Sequence, residues 1–284
     1  MFTAGGIRTN DGVTIRYTEA GNGPPLVLLP GFSQTAAEFR KQTDAFAASH
    51  RVLAVDLRGH GLSDKPAYGY RVARFAADLR DLLVGLDLWD VAVLAHSLAC
   101  TVIWSYWDLY GGDRISRLVL VDQGPIGESA SGDEAERLGA FLTPGVTAEL
   151  VAGLRGKDRE AVARALLRQM HTADLDPEDA DWLLGENLTL AGAHAAALLL
   201  DYVHNDWRDV LPRVGVPTLV VGGEASMLSP AVAPEVAACI PGAQCRVFTE
   251  REKGSHLMFW ENAAGFNEVV ARFLDQNSGS RGLS

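Results

Sequence analysis

The stretch VLAHSLACTVIW (93–104) sets one apolar run directly against another, with His96 and Ser97 between them. The run ending at Ala95 is short and uniformly apolar, as expected of a strand covered on both faces, and Leu98 to Tyr110 has helical spacing. Ser97 therefore stands in a strand-to-helix turn. Such a turn exposes the side chain and places the next N–H at a helix amino end, where partial positive charge gathers. It leaves little room two residues before and two residues after the serine. Both places hold alanine, Ala95 and Ala99.

Outward from this turn the same kind of run recurs, bounded by Gly, Pro or Asp: LVLLP (26–30), RVLAVDL (51–57), VAVLA (91–95), RLVLVD (117–122), TLVVGG (218–223) and CRVFTE (245–250). Helically spaced segments such as Val72 to Val84 lie between them, and this alternation predicts a doubly wound α/β domain. IRTNDGVTIRYTEAG predicts a hairpin turning at Asn10, Asp11 and Gly12. From Pro125 to Asp206 no strand-like run occurs, while Ala, Leu, Glu and Arg dominate. This is read as an inserted helical lid, placed where ligands bind in open α/β sheets. The expected division is a core of 1–124 and 207–276, a helical cap of 125–206 and a disordered tail of 277–284.

The chain has 284 residues, 48% of them hydrophobic and 21% charged, enough for a sizeable core. A net charge of −11, with a pI near 5.1, speaks against nucleic acid or an anionic membrane as partner. MFTAGGIRTNDG shows no basic stretch followed by an apolar one, and no apolar run approaches the roughly 20 residues that span a bilayer. A cytoplasmic protein acting on a small molecule is expected. Cys100, Cys239 and Cys245 are odd in number and lack metal-ligand spacing, which leaves a disulfide framework or zinc site without support.

A serine hydroxyl is a weak nucleophile. It needs a base within hydrogen-bond reach, a group that orients the base, and donors for the oxyanion formed on attack at a carbonyl. The turn around Ser97, LLPGFSQT (28–35), DLRGHGLSD (56–64) and GSHLMFWE (254–261) together resemble the α/β-hydrolase fold family over about residues 25–275. The resemblance implies a doubly wound, mostly parallel eight-stranded sheet with an inserted helical cap, a triad in the order serine, acid, histidine, and neither cofactor nor metal. It assigns Ser97 as nucleophile and His256 as base, and the oxyanion donors as the N–H groups of Phe32 and Leu98. Phe32, His96, Trp104 and Leu257 are expected around the substrate. Two departures stand out: alanines replace the glycines of G-x-S-x-G, and Pro30 replaces the histidine of the H-G-x loop.

The acid is open at this stage. The family's usual place after TLVVGG corresponds to Ser226, with Pro230 as the anchor, and serine cannot carry the charge that stabilises an imidazolium. Asp122 ends the preceding strand run, where certain haloalkane dehalogenases place their acid, and Glu224 is the alternative; a chain with no functional acid is the third possibility. A serine nucleophile suits an ester, thioester or lactone and speaks against dehalogenase or epoxide hydrolase chemistry. The expected activity is that of an esterase or lactonase on a small, largely apolar substrate. Carbon–carbon bond hydrolysis, cofactor-free peroxide chemistry and non-catalytic ligand binding are the alternatives.

Overall fold

Each apolar run becomes a strand in the computed structural model, which describes residues 3–129 and 132–276; the tail at 277–284 lies outside the described residues. The strands are β1 (Thr3–Arg8), β2 (Thr14–Ala20), β3 (Pro25–Leu29), β4 (Arg51–Asp56), β5 (Val91–His96), β6 (Ile115–Val121), β7 (Thr218–Gly223) and β8 (Gln244–Phe248). They form one eight-stranded sheet in the order β1-β2-β4-β3-β5-β6-β7-β8. β2 runs antiparallel to both β1 and β4, and the remaining pairs are parallel. The first two strands are the hairpin read from the sequence, with Gly12 at φ 84° in its turn.

The helices are α1 (Arg40–Phe46), α2 (Val72–Gly85), α3 (Leu98–Tyr110), α4 (Asp133–Arg137), α5 (Pro144–Arg155), α6 (Arg159–Met170), α7 (Pro177–Asn187), α8 (Gly192–Val203), α9 (Val232–Cys239), α10 (Met258–Glu261) and α11 (Ala263–Asp275). Strand side chains alternate between faces. Val91, Val93 and Ala95 of β5 join the core that contains Phe75 and Leu79 of α2 and Val102 and Ile103 of α3. Ala92 and Leu94 join the opposite core, with Phe46 of α1 and Phe266 and Val270 of α11. Both faces are covered, so the strand has no polar side.

The chain leaves β3 for β4 on one side and later returns to β5 on the other. That reversal opens a crevice beyond the carboxyl ends of β3 and β5, between the loop at Pro30 to Phe32 and the turn at Ser97. Helices α4 to α8 are inserted between β6 and β7. The two ends of the insertion meet in an antiparallel bridge between Ile126 and Asp206, beside a bond from the Trp207 N–H to the Pro125 carbonyl at 3.0 Å. No single helix among the described residues is long and apolar enough to cross a membrane.

Trp104, expected beside the substrate, belongs instead to the core that α3 shares with β5, at 0% exposure. It lies seven residues along the helix from Ser97, about 10 Å down the axis at ~1.5 Å per residue. Its indole N–H has no hydrogen-bond partner among the described residues. Trp104→Ala is expected to lower stability by about 3–5 kcal/mol through the cavity it leaves. Trp104→Phe should cost far less, because losing an unpartnered donor offsets part of the lost volume. Urea denaturation midpoints of the two variants measure this, and an unchanged midpoint for Trp104→Ala would contradict the core placement.

Candidate active site

Strand register brings the site together. Leu29 pairs with Ala95, His96 with Val121, and Val121 with Val221, so the residues just beyond β3, β5, β6 and β7 share one edge of the sheet. Ser97 sits there at φ 52°, ψ −125°, a conformation that costs an L-residue of order 1–3 kcal/mol. Its N–H donates to the Val121 carbonyl and its carbonyl accepts from the Cys100 N–H, both at 2.8 Å. Ala95 and Ala99 are fully buried on either side. A Cβ on Gly31 would lie 2.8 Å from His96 Nδ1 and 3.3 Å from Ser97 Cβ, so only glycine lets the Pro30–Phe32 loop come this close. Among the described residues, the Phe32 and Leu98 amides donate to no other backbone or side-chain group.

Asp122 follows β6 at φ 54°, a left-handed conformation that aspartate tolerates better than most residues. Its N–H donates to the Val221 carbonyl at 2.8 Å, and the residue is 4% exposed. His256 Nδ1 lies 2.6 Å from Asp122 Oδ2, a short charge-assisted bond, and the Ser226 hydroxyl donates to the same oxygen. Ser226 Oγ in turn accepts the Leu228 N–H at 3.1 Å. With Nδ1 committed to the carboxylate, the Nε2 of His256 is left to exchange a proton. Glu224 is exposed, and its carboxylate accepts the Glu250 N–H at 3.1 Å. Of the two acids considered, only Asp122 touches His256.

Ser97 and His256 open on one pocket together with Phe32, Leu98 and Gln123. Its remaining wall is apolar and comes largely from the insertion, through Phe141, Leu142, Leu150, Leu166, Met170, Leu199 and Tyr202, with Met227 and Leu228 from the loop after β7. Gln123 Nε2 donates to Tyr202 Oη at 2.9 Å and to the Gly124 carbonyl at 3.0 Å. Burial pushes the Tyr202 phenol up, which keeps it neutral. None of the insertion residues carried a sequence signal, because helices buried on one side against the core and on another against a cavity look alike in sequence. Gln123 was within reach of inference, being next to Asp122.

Two further residues expected around the substrate are turned away from it. His96 is 2% exposed, with Nε2 3.0 Å from the main-chain carbonyl of His256. Leu257 is 1% exposed within the core on the α11 side of the sheet, and its N–H donates to the Met170 carbonyl at 3.1 Å. Adjacency in sequence misled here: His96 ends a strand, where a neighbour points the opposite way, and Leu257 lies in the turn before α10, where its side chain enters the core. The histidine loop has a second tie to the insertion: the Ser255 hydroxyl donates to Glu261 at 2.5 Å, and Thr172 donates to the same carboxylate through its N–H at 3.0 Å and its hydroxyl at 2.5 Å.

Glu38 also escaped the sequence reading. It is fully buried, and Oε1 accepts the Gly31 N–H at 3.0 Å. Burial pushes its carboxyl up to about 8. Burial likewise holds His96 well below 6.5, and the neighbouring His256 ring adds to the effect.

The chain matches the model for the alpha/beta hydrolase fold over residues 24–263 and belongs to that family. A putative non-heme chloroperoxidase of Synechocystis sp. is 29% identical over 277 residues, spanning 92% of this chain and 95% of that protein. Among solved structures, a bromoperoxidase from Bacillus anthracis superposes with a TM-score of 0.88 at 23% identity, covering 96% of this chain and 99% of that one. An esterase from Exiguobacterium antarcticum gives 0.87 at 23% identity, covering 95% and 98%.

Two outcomes are expected from these contacts. Asp122→Asn should lower Ser97-dependent turnover on the order of 10³- to 10⁴-fold, because an amide favours the wrong imidazole tautomer. Ser226→Ala should cost much less and Glu224→Gln nothing measurable; steady-state kinetics of the three variants rank them, and near-wild-type turnover by Asp122→Asn would reject the pairing. The second outcome concerns stability. Glu38 holds its proton more tightly when folded, so its contribution is lost as pH climbs from its ordinary 4.5 to about 8. His96 works in the opposite sense, but only below its ordinary 6.5, where the unfolded chain takes up the proton. Between pH 6.5 and about 8 the urea midpoint should therefore fall with rising pH, and Glu38→Gln should flatten that slope.

Proposed function

We propose that the protein is a serine hydrolase that cleaves small, largely apolar carboxylic esters or lactones through an acyl-enzyme. One observation carries the reading: Ser97 opens on the same apolar pocket as a histidine whose Nδ1 is fixed by a buried carboxylate. Ser97 Oγ attacks the carbonyl carbon while His256 Nε2 takes its proton. Asp122 stabilises the imidazolium, and the Phe32 and Leu98 amides receive the oxyanion. Collapse of the tetrahedral intermediate breaks the ester bond, and the alkoxide leaves with the proton from His256. Water, deprotonated by the same histidine, then frees the acid.

The wall supports an apolar acyl group. Phe141, Leu150, Leu166, Met170 and Leu199 offer it no charge to pair with. The insertion acts as the cap that removes this group from water, and burying each methylene is worth about 0.8 kcal/mol. A second reading uses the same acyl-enzyme. Hydrogen peroxide in place of water, deprotonated by His256, would give a peracid and free Ser97 by the same bond changes. It is favoured by the names of the chloroperoxidase and bromoperoxidase relatives.

Purified protein should release p-nitrophenol from the acetate and butyrate esters, and Ser97→Ala should reduce turnover about 10³-fold or more. A fluorophosphonate should label Ser97 in the parent protein only. Absence of Ser97-dependent release would sink the hydrolase reading. Peracid formation from acetate and hydrogen peroxide, again compared with Ser97→Ala, tests the second reading.

A further inference from the structure

On the far side of Ser97 from the pocket, a chain of buried polar groups joins the loop that carries the Phe32 amide to the loop that carries His256. Glu38 Oε1 accepts the Gly31 N–H at 3.0 Å and lies 3.3 Å from His96 Nδ1. His96 Nε2 lies 3.0 Å from the carbonyl oxygen of His256. Glu38 Oε2, also buried, has no hydrogen-bond partner among the described residues. Nothing in the acyl-transfer steps above uses either side chain, yet both are 2% exposed or less.

The donor and acceptor roles can be worked out from one end. A carbonyl oxygen only accepts, so Nε2 of His96 carries a proton. In a neutral imidazole Nδ1 is then an acceptor. Glu38 Oε1 consequently faces a donor, the Gly31 N–H, and an acceptor, Nδ1, at the same time. Only a hydroxyl oxygen serves both, and a carboxyl has one when protonated. The other arrangement, imidazolium against carboxylate, buries two ions and leaves one carboxylate oxygen without a partner, which is costly. The titratable groups that act on the pair are His256, which acts on both members, and Asp122, which acts on His96.

We propose that Glu38 and His96 form a neutral positioning pair: a protonated Glu38 carboxyl holds the Gly31 amide on one side and the His96 imidazole on the other, and His96 Nε2–H holds the main chain of His256. The pair touches no substrate. It fixes the distance between the oxyanion donors and the base, two parts of the site that come from strands far apart in the chain. Burial shifts both groups toward their neutral forms, in keeping with this arrangement. The kinetic consequence rests on the hydrolase reading given above; the protonation pattern does not.

The test has two arms. Ring ¹⁵N resonances of His96 in the intact protein should report a neutral Nε2–H imidazole from pH 6 to 7.5, with the neighbouring carboxyl ionising only toward about pH 8. An Nδ1–H tautomer, or a cation titrating near the ordinary 6.5, overturns the proposal. In the second arm, Glu38→Gln can accept from Gly31 or donate to His96 at that position, but not both. Its kcat should fall about five- to twentyfold with KM within about twofold of the parent, the signature of misplaced groups rather than weakened binding. The parent's change in kcat as Glu38 ionises toward pH 8 should also be absent from the variant. A Glu38→Gln enzyme with parental kcat and parental pH profile overturns the proposal as well. Ser97→Ala is run alongside: if the parent shows no Ser97-dependent turnover, the hydrolase reading fails and the ¹⁵N arm alone decides the pair.

Discussion

The backbone of Ser97, held at φ 52° and ψ −125°, is the constraint on which the edge of the sheet depends. A serine there cannot relax without losing its bond to the Val121 carbonyl or the Cys100 amide, each at 2.8 Å. Small neighbours make the turn possible, and a long apolar helix anchors it from behind. The cost of order 1–3 kcal/mol is modest beside the burial of α3, in which every residue from Leu98 to Trp107 is buried. Alanine satisfies the steric demand at 95 and 99. Gly31 is different, because there the opposing loop must approach a histidine ring and the serine itself.

The contact between Asp122 and His256 illustrates how topology and reach can substitute for sequence position. Adjacent parallel strands in register bring the ends of β6 and β7 side by side, so a carboxylate after either strand can face the same histidine. Here Asp122 occupies the end of β6, and Ser226, after β7, has become a hydrogen-bond donor to it. The hydroxyl and the imidazole stabilise the charged carboxylate in a site where little water reaches it, which is the compensation a buried charge requires.

The inner strands were legible in the sequence because a sheet covered on both faces demands unbroken apolar runs, and the turn was legible because its size limits are local. His256 was singled out by its chain order within the resemblance to the family. The choice between Asp122 and Glu224 was not local: it depended on strand register and on which way each carboxylate points, and spacing encodes neither. Trp104, His96 and Leu257 show the converse, for each is close in sequence to Ser97 or His256 and each is directed into protein. Glu38 was silent for a related reason. A single glutamate ahead of Phe39 reads as a surface residue until the fold shows it sealed beneath the Gly31 loop.

The insertion does more than wall the pocket. Its Met170 carbonyl and Thr172 side chain are bonded to the segment that carries His256, directly and through Glu261. Exchanging the whole insertion for that of another family member, in order to change the pocket, would therefore also loosen the histidine. Grafts that keep residues 170–172 and vary only the faces of α5 and α8 would separate the shape of the pocket from the placement of His256.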